Sequence, residues 1–257
     1  MKRLTALLLA ILILSFAGVN VYAEGKGIGW YVKRNGRQRP VAIGEMCEIE
    51  DYGGYYIDKK LSDDSEKRVI YLTFDAGYDN GNVTKTVEIL KEKNVKAAFF
   101  ILDTIVIKNT DLLCRMFDDG HLVCNHTKNH KDVTLMTNDE IIDNLTDLER
   151  ICEQKTGRKM AKYFRFPEGK YSIDSLKTVN ELGYKTIFWS FGYDDWDNAR
   201  QPDKSTAFKK IIDNTHNGEV ILLHPTSSTN VEILPLLIDK WREMGYSFGS
   251  LDELVKE

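Results

Sequence analysis

Five short apolar runs in this 257-residue chain end in residues able to do acid–base or metal chemistry. Val69–Phe74 runs into Asp75 and His121–Asn125 into His126, while Tyr163-Phe164 leads to Arg165. Phe188-Trp189-Ser190 opens a loop holding Asp194-Asp195-Trp196, and Glu219–Leu223 runs into His224. If the runs are parallel strands they all point the same way. Their ends then gather on the carboxyl-terminal rim, where α/β folds build active sites. His126 and His130, four apart, could share one face of a helical turn and grip a divalent cation through their imidazole nitrogens. Each group has a plainer reading when taken singly. The histidine pair could be an exposed loop beside Lys128 and Lys131, and Asp75 a strand-end cap with Arg165 as its salt-bridge partner. His224 before Pro225 could be a satisfied core histidine. Five polar ends from five strands together favour a reaction site.

The elements that would position them follow a regular alternation from Arg68 onward. Strands are expected at Val69–Phe74, Ala97–Leu102, His121–Asn125, Tyr163–Phe166, Lys185–Ser190, Glu219–Leu223 and Tyr246–Leu251, several of them apolar on both faces. Between them, Val83, Val87 and Leu90 recur at helical spacing. Thr137 and Glu140 form a capping-box pattern that opens a helix reaching Lys155, stopped by Gly157. Leu176, Val179 and Leu182 mark another helix, ended by Gly183, and Ile233, Leu236, Leu237 and Trp241 a last one, ended by Gly245. About seven β-then-α units predict a parallel sheet, either closed as a (β/α) barrel or open and doubly wound. Residues 24–66 lack a clear period and read as an N-terminal extension packed on the main domain. Its Trp30 is expected in the core rather than in a binding groove.

Composition narrows the function. With 35 basic and 39 acidic residues interspersed and a net charge of −4, no basic stripe exists, so nucleic acid is not an expected partner. No protein partner is expected either, and the reading is a monomer. Residues 1–23 carry the three-part secretory pattern: Met1-Lys2-Arg3, an apolar stretch from Leu4 to Phe16, and small residues at Val21-Tyr22-Ala23. Cleaved or retained as an anchor, this segment would place the remainder outside the cell or on the outer face of its membrane. Loss of Lys2 and Arg3 with it takes the net charge from −4 to −6. Cys114, Cys124 and Cys152 sit in apolar contexts as small core residues, although one disulfide is left open, and the cysteine spacings match no zinc pattern. Gly-x-Ser-x-Gly, Walker, Rossmann and His-Glu-x-x-His motifs are absent.

Five ordered segments resemble the polysaccharide deacetylases, the NodB-homology group or carbohydrate esterase family 4, over about residues 67–252. They are Thr73-Phe74-Asp75-Ala76-Gly77, His126-Thr127-Lys128-Asn129-His130, Arg165-Phe166-Pro167-Glu168-Gly169, Asp195-Trp196 and Leu222-Leu223-His224. Asp75 to Tyr78, the Trp-bearing extension, Phe188-Trp189-Ser190 and Gly245-Tyr246-Ser247-Phe248 further resemble the subgroup that deacetylates N-acetylmuramic acid in peptidoglycan, a step toward muramic δ-lactam in spore cortex. The resemblance implies a distorted (β/α) barrel of about seven parallel strands and an amide hydrolase acting on peptidoglycan glycan strands. It implies Asp75 as general base, Arg165 as its orienting partner, His224 as general acid and Asp195 as the group holding His224. It implies His126 and His130 as ligands of a divalent cation (Zn, Co, Mn or Mg), with Trp196, Leu222, Glu168 and Tyr78 on the substrate.

Two departures from the family pattern matter. Ala76 stands where most members carry a second Asp that completes the metal site, so metal affinity is expected to be weaker by an order of magnitude or more, on the ~10–100-fold scale of lost ligand support. Asp79 and Asn80 are the nearby oxygen donors. Glu168 replaces an aromatic residue. The alternatives are a deacetylase of N-acetylglucosamine polymers or of acetylated xylan, and a non-catalytic glycan-binding module that has lost its metal-site Asp.

Overall fold

In the computed structural model, residues 27–35 and 38–256 are described. The expected secretory segment, 1–23, lies outside them. Eight parallel strands form one sheet: β1 (Gly54–Tyr55), β2 (Arg68–Ala76), β3 (Ala98–Ile101), β4 (Leu122–Asn125), β5 (Ala161–Phe164), β6 (Lys185–Ile187), β7 (Glu219–Leu223) and β8 (Tyr246–Phe248). Their order is β7-β2-β3-β4-β5-β6-β1, with β8 paired to the start of β2. The sheet curls into a distorted barrel. Past β6 the chain meets β7 without a regular ladder: Ser190 N–H donates to the Val220 carbonyl at 2.9 Å, and Leu222 N–H to that of Phe191 at 2.8 Å. The barrel alternative therefore holds over the open sheet.

All seven strands expected from the sequence are present. The last is shorter than expected, because Leu251 opens a helix, Leu251–Leu254, capped by Ser250. The eighth, β1, comes from the extension and carries no period of its own. Glycine is required at its first residue. A Cβ on Gly54 would stand 2.7 Å from the Ile49 carbonyl oxygen, too close for any side chain.

Strand β2 shows why the sheet is apolar on both faces. Val69 and Tyr71 point into the barrel with Phe100, Cys124, Ile187 and Val220. Ile70, Leu72, Phe74 and Ala76 point outward onto the helix Asn82–Glu92 through Val83, Val87 and Leu90. A side-chain period of two splits one run between two cores. A third cluster joins the extension's Trp30, Met46 and Ile49 to Ile141 and Leu145 of the helix Asn138–Thr156. That helix opens with the expected capping box: Thr137 Oγ1 accepts from Glu140 N–H at 3.3 Å, and Glu140 Oε2 from Thr137 N–H at 2.7 Å. It closes on Gly157 at φ 69°.

Trp30 is buried, as expected. Its ring stacks on Phe188 at 4.5 Å between centroids, and its Nε1–H donates to the Trp189 carbonyl at 2.9 Å. The preceding strand, Ile28–Gly29, pairs antiparallel with Lys170–Tyr171, so the extension braces the loops after β5 and β6. All four cysteines are free thiols. Cys124 and Cys152 are buried, Cys114 is half-buried and Cys47 exposed. Among the described residues no helix is long and apolar enough to cross a membrane.

Candidate active site

Parallel strands deliver the polar ends to one cavity of about 830 Å³. Asp75, Tyr78, His126, His130, Glu168, Trp196, Leu222 and His224 all line it. Arg165 and Asp195 are fully buried behind it, each bonded to a residue on the wall.

Asp75, near the end of β2, alternates with Phe74 and Ala76 and so faces the barrel side. Its Oδ1 accepts from Arg165 Nη1 at 2.8 Å. Arg165 also donates through Nη2 to Thr73 Oγ1 at 2.9 Å and through Nε to the Ile187 carbonyl at 2.9 Å, with its guanidinium 4.2 Å from the Phe100 ring centroid. These contacts leave the guanidinium one orientation. Burial works to raise the Asp75 carboxyl, but the charges of Arg165, His126 and His224 outweigh it and hold the group below the usual carboxylate range. Asp75 therefore stays ionised, with Oδ2 turned to the cavity side and 3.5 Å from His126 Nε2.

His126 follows β4. Its Nδ1–H donates to the Arg165 carbonyl at 2.8 Å, because a carbonyl can only accept. Burial pushes the imidazole down to about 4, despite the opposing charge of Asp75. The neutral ring thus presents the Nε2 lone pair, the state a metal ligand needs. His130 stands against it edge-on, ring centroids 5.0 Å apart. Of the two readings the spacing left open, helical turn and loop, the loop joins them. Residues 126–130 form a loop in which Thr127 and His130 both adopt left-handed backbone, φ 70° and 56°, and His130 N–H donates to Thr127 Oγ1 at 2.9 Å. Buried Asn125 anchors this loop, its Oδ1 accepting from Thr127 N–H at 2.9 Å and its Nδ2 donating to Tyr184 Oη at 2.9 Å.

The third ligand position is empty of donors. Ala76 lies buried in the apolar cluster outside the barrel and off the cavity wall. Asp79 caps the following helix, its Oδ1 accepting from Gly81 N–H at 2.7 Å and its Oδ2 from Thr84 Oγ1 at 2.6 Å. Asn80 donates to the Thr226 carbonyl at 2.9 Å. Neither replaces the missing Asp, and among the described residues no cluster of three or more His, Cys, Asp or Glu stands in ligating arrangement. Two imidazoles, one with its far nitrogen fixed by a carbonyl, fit a divalent cation with an open coordination sphere.

On the opposite wall His224 follows β7. Its Nδ1–H donates to Asp195 Oδ1 at 2.7 Å, and its backbone N–H to Asp195 Oδ2 at 2.8 Å. Burial alone would lower the imidazolium, but the Asp195 hydrogen bond and the Asp195 and Asp75 charges outweigh it and hold His224 above its ordinary value. The two groups are pushed in opposite directions, Asp75 down and His224 up.

The rim carries the remaining candidates. Trp196 is 59% exposed and Tyr78 47%, with Tyr78 Oη accepting from Asn198 Nδ2 at 2.7 Å. Glu168 sits at φ 54°, its Oε2 2.8 Å from Lys170 Nζ. Trp189, Tyr193, Leu102 and Thr226 also line the cavity, and the sequence did not single them out as wall residues. Trp189 was visible as part of Phe188-Trp189-Ser190 before the Asp195 loop, with no wall role given to it, and the other three lie in no motif.

A parallel barrel with a carboxylate and an imidazole facing one cavity at its mouth is an arrangement suited to paired acid–base chemistry. The family model described as polysaccharide deacetylase matches residues 62–187. A Bacillus subtilis protein named peptidoglycan-N-acetylmuramic acid deacetylase PdaA is 34% identical over 250 residues, 96% of this chain and 93% of that protein. The structure of Bacillus subtilis PdaA, described as a family 4 carbohydrate esterase, matches with a TM-score of 0.83 at 35% identity, over 89% of this chain and 97% of that one. A Bacillus anthracis protein described as a family 4 pseudoenzyme matches with a TM-score of 0.68 at 29% identity, over 75% of this chain and 66% of that one. The chain belongs to the polysaccharide deacetylase family.

Proposed function

We propose that the protein removes the N-acetyl group from N-acetylmuramic acid in peptidoglycan, releasing acetate and leaving a free amine on the glycan. The observation that carries this is the pair of dyads, Asp75–Arg165 and Asp195–His224, whose Asp75 and His224 face one cavity from opposite walls. The near full-length similarity to a protein named for that substrate supports the choice of sugar.

Asp75 Oδ2 takes a proton from a water in the cavity, and the water oxygen bonds to the acetamide carbon. Arg165 fixes the carboxylate throughout. His224, as imidazolium, gives its Nε2 proton to the amide nitrogen as the C–N bond breaks, because an unprotonated amide nitrogen leaves poorly. Asp195 holds the imidazolium and keeps Nδ1–H turned away from the substrate. A divalent cation on His126 and His130 would polarise the acetamide carbonyl and ease deprotonation of the attacking water. Leu222 and Trp196 bound the acetyl methyl, and Tyr78 and Glu168 flank the sugar. Action outside the cell is supported by the apolar stretch at residues 4–16. Cell fractionation tests this, since a cytoplasmic protein would refute it.

The experiment is direct. Purified protein is incubated with muropeptides and with N-acetylglucosamine oligomers, with and without Zn²⁺, Co²⁺, Mn²⁺ or Mg²⁺, and acetyl loss is followed by mass. Loss from muramic acid residues is expected. Loss from glucosamine residues alone transfers the activity to the other substrate. Ala76 and the likeness to a pseudoenzyme favour one rival, a glycan-binding protein without turnover. That rival predicts glycan binding unchanged by His224→Ala and no acetate from the wild type.

A further inference from the structure

Asp195 is held by more than His224. Asn230, in the first turn of the helix Ser228–Glu243, donates Nδ2 to Asp195 Oδ2 at 2.5 Å, the same oxygen that accepts the His224 backbone N–H. The same nitrogen reaches the His224 carbonyl at 3.1 Å. The amide oxygen accepts from the Tyr193 hydroxyl, and the Asn230 N–H donates to Ser227 Oγ at 3.1 Å. Every polar atom of this 2%-exposed side chain is therefore used. The opposite amide orientation would set Oδ1 against a carboxylate and a carbonyl, acceptor against acceptor, so the network fixes which atom is nitrogen.

The consequence is geometric. Without its third donor, the carboxylate is free to rotate and to offer His224 either oxygen. With two N–H groups on Oδ2, Oδ1 is left to accept from His224 Nδ1–H. We propose that Asn230 is a positioning residue for the acid step: one amide ties Asp195 to the His224 backbone and locks His224 as the Nδ1–H tautomer with Nε2 toward the cavity. Tyr193 is the outer link, giving a chain Tyr193–Asn230–Asp195–His224 that runs from the cavity wall through the interior and back. The inference rests on the reading of His224 as general acid. The charged groups facing His224 are Asp195, Asp75 and Arg165. Asn230 is uncharged, so its replacement acts on His224 only through Asp195 and the backbone.

The test is Asn230→Leu, close to isosteric and without donors, in the full chain labelled with ¹⁵N-histidine. In the wild type, ring nitrogen shifts of His224 report a single Nδ1–H tautomer and a raised titration midpoint. In Asn230→Leu the tautomers mix and the midpoint falls toward the ordinary histidine value, while His121 and His216 keep their shifts. On the N-acetylated glycan, kcat falls by about 10-fold or more with KM changed by less than about 2-fold, since a general acid contributes ~10²–10⁴-fold. An unchanged tautomer and midpoint, or a kcat within about 2-fold of wild type, overturns the proposal. If Asn230→Leu does not fold, Tyr193→Phe removes a single hydroxyl from the chain, and the same shifts in the same direction at smaller size are required. The nitrogen spectra need no substrate. A wild type that turns over no glycan yet shows the locked tautomer, lost in the variant, refutes the proposed function and leaves this inference standing.

Discussion

Arg165→Met keeps the length of the stem and its packing on Phe100 but removes the charge and every donor. Asp75 is then a 9%-exposed carboxylate whose guanidinium partner, 2.8 Å away in the native protein, is gone. Breaking a buried pair by deleting one member costs about 3–5 kcal/mol. Thr73 Oγ1 still donates to the Ile221 carbonyl at 2.6 Å, so its share of the loss is small. For a protein of this size each kcal/mol moves Tm by about 2–4 °C, which predicts a fall of roughly 6–20 °C at neutral pH. The pH dependence fixes the cause. In the native protein Asp75 titrates below the usual carboxylate range, so its stabilisation is complete above the unfolded value, about 3.9, and is lost as pH falls through the lower folded one. In the variant burial prevails and the folded value rises above the unfolded one. The deficit is then full at high pH and shrinks by about 1.4 kcal/mol per unit once pH drops below the raised value. Urea unfolding of both proteins in EDTA, from about pH 8 to pH 5, measures it. A deficit that does not change with pH, or one under about 1 kcal/mol at pH 8, would refute the assignment of Arg165 as the counter-charge of Asp75.

Asp195→Asn turns an acceptor into a donor at His224 Nδ1 and is expected to lower kcat by about 10²–10⁴-fold with the fold intact by circular dichroism, read by acetate release. His130→Ala leaves one imidazole and is expected to weaken Zn²⁺ binding by at least ~10-fold in isothermal titration calorimetry, the lower end of what even indirect ligand support supplies. Gly169→Ala forces a Cβ to within 2.7 Å of Trp189 Cη2 at a φ of +66°, and a loss of more than about 1 kcal/mol is expected in thermal melts. Chelation followed by readdition of Zn²⁺, Co²⁺, Mn²⁺ or Mg²⁺ is expected to abolish and restore acetyl release, assayed on muropeptides.

The sheet was legible because both of its faces are apolar, so each strand announces itself as a compact β-branched or aromatic run. Asp75, His126, Arg165, Asp195 and His224 were legible for a related reason: a polar residue closing such a run stands out against it. Strand β1 was hidden, since two residues, Gly54 and Tyr55, have no periodicity and take their register from β6. Spacing left the path between His126 and His130 open between a helical turn and a loop, because a left-handed threonine is uncommon and spacing alone cannot reveal it. Asn230 escaped notice because it sits two residues inside a helix, where an asparagine near a serine cap reads as ordinary capping. Its partner Asp195 lies 35 positions earlier. Trp189 fell inside the strand expected at Lys185–Ser190, but the strand ends at Ile187, and both Trp189 and Tyr193 line the cavity from the irregular loop that follows.

The segment around Trp30 also bears on when the enzyme becomes competent. Its indole bonds to a carbonyl 159 positions further along, and the strand Ile28–Gly29 waits for Lys170–Tyr171. At ~5–20 residues per second of synthesis, these aromatic and β-forming residues emerge roughly 8–32 s before their partners exist. During that interval the chain carries an unmated edge and a bare indole, a natural foothold for a holding chaperone. These contacts at the mouth of the barrel can close only once residues 170–189 have been made.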